Sequence, residues 1–142
     1  MIEKHVTDSE EATYKVARNF ARMLSKGDVV ALTGELGVGK TVFVKGVLSA
    51  YEVNDNVTSP TFILINEYRA NVSLYHIDLY RLFDEQALNS IGIEEYLYSD
   101  GICLVEWAEK IASLLPVDAI HITMKHNGGN SREITIERIY NQ

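Results

Sequence analysis

Gly34-Glu35-Leu36-Gly37-Val38-Gly39-Lys40-Thr41 completes the pattern G-x-x-x-x-G-K-[ST]. No other string in the chain constrains the fold as much, because this one works only between a buried strand and a helix. The flanking residues meet that condition. Val29-Val30-Ala31-Leu32 is a short unbroken apolar run, the pattern of a strand covered on both faces. Lys40 to about Ala50 reads as a helix, with Val44, Val47 and Leu48 inward. Glycines let the intervening backbone curl so that successive N–H groups converge on phosphate oxygens. The helix adds the positive end of its dipole to the same anion. Lys40 is placed to reach β- and γ-phosphates, and the Thr41 hydroxyl is a hard oxygen ligand suited to Mg²⁺.

The rest of the chain predicts an α/β architecture. Asp8 with Glu11 marks a helix N-terminus, and Val16, Ala17, Phe20, Ala21 and Leu24 recur at helical spacing to about Ser25. Residues 54–59 read as a loop closed by Pro60. Thr61–Arg69 and Val72–Leu79 are rich in β-branched and aromatic residues, with a hairpin at Ala70-Asn71. A short helix is expected over Asp84–Ser90 and a turn or helix over Ile93–Tyr98. Ile102-Cys103-Leu104-Val105 is a second doubly buried strand, and Trp107–Leu115 a helix stopped by Pro116. Ala119–Lys125 and Arg132–Ile139 alternate as strands, placing Ile120, Ile122, Met124, Ile134 and Ile136 inward. The sum is a P-loop-like fold: a central, partly parallel sheet, flanking helices and antiparallel hairpins. One domain over residues 1–142 accounts for it. Strand order is not readable from the sequence.

Charge and cysteine usage limit the setting. A net charge of −7 disfavours stand-alone binding to DNA or RNA, which needs a basic excess to neutralise phosphates. No apolar run approaches the roughly 20 residues of a membrane span. The N-terminus carries no signal-peptide pattern, and the single Cys103 forms no internal disulfide, so a cytoplasmic setting is expected.

A phosphate-loop enzyme needs an acid near Mg²⁺, usually at the C-terminal end of a neighbouring buried strand. Glu106 follows Ile102–Val105, and Asp78 ends Leu74-Tyr75-His76-Ile77. Either could hold the cation while the other orients the attacking water. His76 reads by default as a strand residue with a satisfied hydrogen bond, Trp107 as packing, and Arg132 as an edge-strand charge. Ser59-Pro60-Thr61 resembles a switch that senses the γ-phosphate.

Asn-Lys-x-Asp for guanine is absent, as is Asp-x-x-Gly, so ATP is the expected nucleotide. A compact ATPase working with a partner protein fits best. A small-molecule kinase, which would need a metabolite acceptor, and a nucleotide-gated binding module without turnover are the alternatives.

The phosphate loop, Ser59-Pro60-Thr61-Phe62, Tyr75-His76-Ile77-Asp78-Leu79-Tyr80-Arg81-Leu82 and Ile102-Cys103-Leu104-Val105-Glu106-Trp107 together resemble the TsaE (YjeE) family. His-x-Asp-x-Tyr-Arg with a later Glu-Trp is far more specific than the loop. The resemblance implies an Mg²⁺-dependent ATPase of bacterial tRNA threonylcarbamoyladenosine synthesis. It implies action with a TsaD–TsaB pair on adenosine 37 of tRNAs reading codons that begin with A, with tRNA met only through that pair and no role for DNA or membrane. Residue by residue, it implies that Gly34, Glu35, Leu36, Gly37, Val38, Gly39, Lys40, Thr41 and Val42 surround the phosphates. Thr41 and Glu106 would hold the metal, Asp78 would be a second active-site acid, and Lys40 would act on the phosphates. Trp107 and Arg132 would lie beside the nucleotide. Val42 is a departure, since the family often has a second hydroxyl there; its backbone N–H still suits an α-phosphate.

Overall fold

A computed structural model describes residues 1–53, 55–58, 64–81 and 92–138. The helix expected over Asp84–Ser90 and the residues Ser59-Pro60-Thr61 lie outside them. The elements are β1 (Ile2–Thr7), α1 (Glu10–Phe20), β2 (Val29–Gly34), α2 (Lys40–Leu48), β3 (Asp55–Thr58), β4 (Leu64–Arg69), β5 (Ser73–Asp78), α3 (Ile93–Leu97), β6 (Ile102–Glu106), β7 (Ile120–His126) and β8 (Arg132–Arg138). Short 3-10 segments cover Ala21–Met23 and Ala108–Leu114.

The described strands form one sheet in the order β1-β8-β7-β2-β6-β5-β4-β3. Its centre, β7-β2-β6-β5, is parallel, and both wings are antiparallel. The mixed α/β fold expected from the sequence is present. β2 and β6 are its driest strands: Val30, Ala31, Leu32, Cys103, Leu104 and Val105 are fully buried. Such strands need cover on both faces, and two apolar cores supply it. One holds Val30, Leu32, Leu104, Ile122 and Ile136 under α1 and α2, with Phe20 and Phe43 rings 5.6 Å apart. The other holds Ala31, Ile77, Cys103 and Val105 under α3 and the Ala108–Leu114 segment. Gly46 lets α1 and α2 meet closely, since a Cβ there would lie 2.5 Å from the Tyr14 carbonyl oxygen and 2.6 Å from the Ala17 Cβ.

Four local expectations need correction. The α1 cap is Ser9, one residue after Asp8, and its hydroxyl accepts from the Ala12 N–H at 3.0 Å. Within the loop expected over 54–59, Asp55–Thr58 is a strand, because antiparallel pairing with β4 overrides its polar composition. Trp107–Leu115 is no regular α-helix: Trp107 takes a left-handed φ of 61°, and the 3-10 segment after it is broken at Ile111. β1 was not foreseen; its apolar Ile2 and Val6 face outward, which hides the strand pattern.

Candidate active site

Parallel strands end at one edge, and that edge carries the candidate site. β2 runs directly into the phosphate loop, while β5 and β6 end beside it with Asp78 and Glu106 in register. Strand alternation then decides what faces the loop. Leu74, His76 and Asp78 point to the α2 side of the sheet, as do Leu104 and Glu106.

The loop is curled by glycines with positive φ: Gly34 at 150°, Gly37 at 78° and Gly39 at 112°. Gly39 is the N-cap of α2 and offers no side chain, so the first-turn N–H groups of Lys40, Thr41 and Val42 lack a side-chain cap. Val38 anchors the loop in the core, and its N–H donates to the Glu35 carbonyl at 3.2 Å. Glu35 and Leu36 form the exposed tip.

A cleft of about 280 Å³ opens beside the loop, lined among others by Lys40, Thr41, Asp78, Tyr80, Glu106 and Trp107. The Lys40 ammonium donates to the Gly34 carbonyl and lies 3.4 Å from the Trp107 ring centroid. Burial lowers its pKa from the ordinary 10.5, against the opposing pull of Glu109, Glu106 and Asp78. Glu106 is 3% exposed. Its Oε1 accepts from the Thr41 hydroxyl at 2.9 Å, and its Oε2 lies 2.5 Å from His76 Nε2. Burial alone would push this carboxyl up. The His76 imidazole, the Thr41 hydroxyl and the Lys40 ammonium outweigh burial and hold it below the ordinary carboxylate range. Asp78 is half-buried, and its Oδ1 accepts from the Tyr80 N–H at 3.0 Å.

These groups suit Mg²⁺-nucleotide. The loop supplies curled glycines, uncapped helix N–H groups and an ammonium for phosphates. Thr41 and Glu106 set two hard oxygens side by side. Among the described residues no cluster of three or more His, Cys, Asp or Glu stands ready for a metal.

Arg132 does not join this cleft. It lines a second pocket of about 350 Å³ across the loop, with Asp8, Ser9, Thr13, Gly37 and Val42 among its walls. Its Nη1 donates to the carbonyls of Gly129 at 3.1 Å and Ser131 at 3.0 Å. β8 lies between β1 and β7, so Arg132 is not the edge-strand charge its pattern suggested. Glu10 borders both pockets. Glu10, Ser9 and Tyr80 were not legible as site residues, because only the packing of α1 on α2 and the turn after β5 bring them to the loop.

The family model described as threonylcarbamoyl adenosine biosynthesis protein TsaE matches residues 7–134. The chain belongs to the TsaE family. Membership carries a role in tRNA threonylcarbamoyladenosine biosynthesis. The Bacillus subtilis (strain 168) tRNA threonylcarbamoyladenosine biosynthesis protein TsaE is 41% identical over 137 residues, covering 96% of this chain and 85% of that protein. The TsaE of Treponema pallidum (strain Nichols) is 38% identical over 131 residues, covering 92% of this chain and 97% of its own. The crystal structure of Bacillus subtilis YdiB superposes with a TM-score of 0.82 at 35% identity, over 99% of this chain and 88% of that one. No helix of this TsaE-family chain, among the described residues, is long and apolar enough to cross a membrane.

Proposed function

We propose that this chain is a cytoplasmic, Mg²⁺-dependent ATPase, slow alone and activated by a TsaD–TsaB pair. In this reading it supports repeated threonylcarbamoylation of adenosine 37 in tRNAs that read codons beginning with A, without transferring the group itself. The observation that carries the ATPase reading is the meeting of Lys40, Thr41, Glu106 and Asp78 around one cleft at the ends of β2, β5 and β6. Curled loop amides and the α2 N-terminus would bind the phosphates, and the Lys40 ammonium would add its charge to them. Thr41 and Glu106 would hold Mg²⁺, which would supply positive charge to offset that of the phosphates. Asp78 accepts a hydrogen bond from the attacking water and aims it. Trp107 and Tyr80, with ring centroids 5.2 Å apart, wall the cleft. Arg132 and its pocket receive the nucleoside end.

The net charge of −7 supports contact with tRNA through the protein pair rather than directly. ATP turnover measured with and without TsaD–TsaB tests the whole reading. Slow turnover that rises with the pair is expected. Turnover that needs a metabolite acceptor would make the chain a kinase, and binding without turnover even with the pair would make it a nucleotide-gated module.

A further inference from the structure

His76 is a buried imidazole, 8% exposed, on the face of β5 that also carries the fully buried Leu74. Packing alone would be served by another Leu at this position. The polar ring instead sits two residues before Asp78 on the same face of β5, diagonal to Glu106 on β6. Its Nε2 meets Glu106 Oε2 at 2.5 Å, while Thr41 takes Oε1 at 2.9 Å. An ionised carboxylate only accepts, so Nε2 carries the hydrogen and donates it.

The terminal torsion of a glutamate is broad and nearly free, so burial by itself does not set where its two oxygens point. Two donors on different oxygens remove that freedom. Thr41 is exposed and rides on α2, whereas His76 belongs to the sheet and is fixed by the core. The sheet-borne donor is therefore the one that sets the carboxylate plane.

We propose that His76 is a positioning residue for Glu106: its Nε2–H anchors one carboxylate oxygen so that the other is presented to Thr41 and to a divalent cation at the phosphates. This inference rests on the ATPase reading and deepens it. Groups that orient a metal-binding carboxylate in this way commonly account for about 10- to 100-fold in metal affinity.

The test is a Mg²⁺ titration of ATP binding, read by the fluorescence of Trp107, the sole tryptophan of the chain. His76→Ala is expected to raise the Mg²⁺ concentration at half-saturation about 10-fold or more, leaving ATP affinity in EDTA unchanged. His76→Gln, whose amide reaches nearly as far as Nε2, should restore most of the loss. In a Glu106→Gln background, His76→Ala should add no further shift. An unchanged Mg²⁺ requirement in His76→Ala, or an equal shift in both backgrounds, would overturn the inference. If His76→Ala does not fold, His76→Asn carries the same expectation, since its amide falls short of Glu106; a wild-type requirement there overturns the proposal too. Wild-type protein whose ATP binding ignores Mg²⁺ would overturn the ATPase reading and this inference with it. A normal wild-type requirement with insensitive His76 variants overturns this inference alone.

Discussion

Beneath α1 and α2 the sheet buries Thr7, Thr13, Lys40, His76 and Glu106 among its hydrocarbon side chains; beneath α3 and the Ala108–Leu114 segment the described buried side chains are hydrocarbon and one thiol. That thiol, Cys103, donates to the Tyr96 carbonyl, and burial pushes its pKa up to about 12, so it behaves as a small apolar residue. Both faces cover the same strands, and alternation along β5 and β6 alone assigns residues to one or the other. The difference teaches where this fold tolerates polarity. One face is a plain core, and the other accepts buried charge because the phosphate loop opens onto it.

The comparison breaks most sharply at Lys40. Lys40→Met is expected to abolish partner-stimulated ATP turnover and weaken ATP binding several-fold, while raising the melting temperature by on the order of 3 °C. The sign follows from its pKa. The folded value lies below the ordinary 10.5, so the unfolded chain binds more protons between the two values, and burial of the ammonium costs stability below that window. Relative to the Met variant, wild-type stability should therefore gain as pH rises towards 10.5, on top of the loss that the raised Cys103 thiol gives both proteins above pH 9. Thermal melts across alkaline pH read both effects. A destabilised Met variant would show that the ammonium is a net structural contributor.

The two acids come next. Asp78→Asn should lower partner-stimulated hydrolysis roughly 100-fold and spare ATP binding. Glu106→Gln should raise the Mg²⁺ requirement for binding roughly 10-fold or more. Single-turnover hydrolysis and Mg²⁺ titrations separate them, and the reverse ranking would exchange the roles.

Leu97→Ala probes the plain face. It should cost about 2–5 kcal/mol by chemical denaturation, with ATP affinity of the folded protein unchanged. Altered affinity would mean that the two faces are coupled through the sheet.

The smallest effect tests whether every buried polar group on the site face serves the site. Thr7 and Thr13 share one hydrogen bond of 2.8 Å between their hydroxyls. Thr13→Val should cost about 1–3 kcal/mol by orphaning the Thr7 hydroxyl, whereas replacing both with Val should be nearly neutral. Equal losses in the single and double variants would give these hydroxyls a role beyond satisfying each other.

Much of the fold was legible because its centre is monotonous. β2 and β6 are apolar runs, and only burial on both faces explains four such residues in a row. The wings were legible where polarity matched burial, as at Ile134 and Ile136. They were illegible where it did not. β1 exposes Ile2 and Val6 while burying Thr7, and β3 is Asp-Asn-Val-Thr, made a strand by its neighbour. The phosphate loop and both acids could be read because the motif and the strand ends fix them locally. Which donor meets which carboxylate oxygen depends on register between β5 and β6, which no local pattern states. The second pocket depends on where α1 lands against the loop, and that too is a long-range fact.

Strand order has a consequence for the chain as it is made. β2 is synthesised early, yet both of its sheet neighbours come from the last third of the sequence, β6 at 102–106 and β7 at 120–126. Until residues 102–106 have been made and have cleared the exit tunnel, β2 has no ladder on either side and Glu106 has yet to meet Thr41; its second ladder waits for β7. Early in synthesis the nascent segment can pair only α1 with α2. Such non-local pairing slows folding. It also means that a product stalled before residue 102 would carry the glycine-rich loop without the carboxylate that meets Thr41.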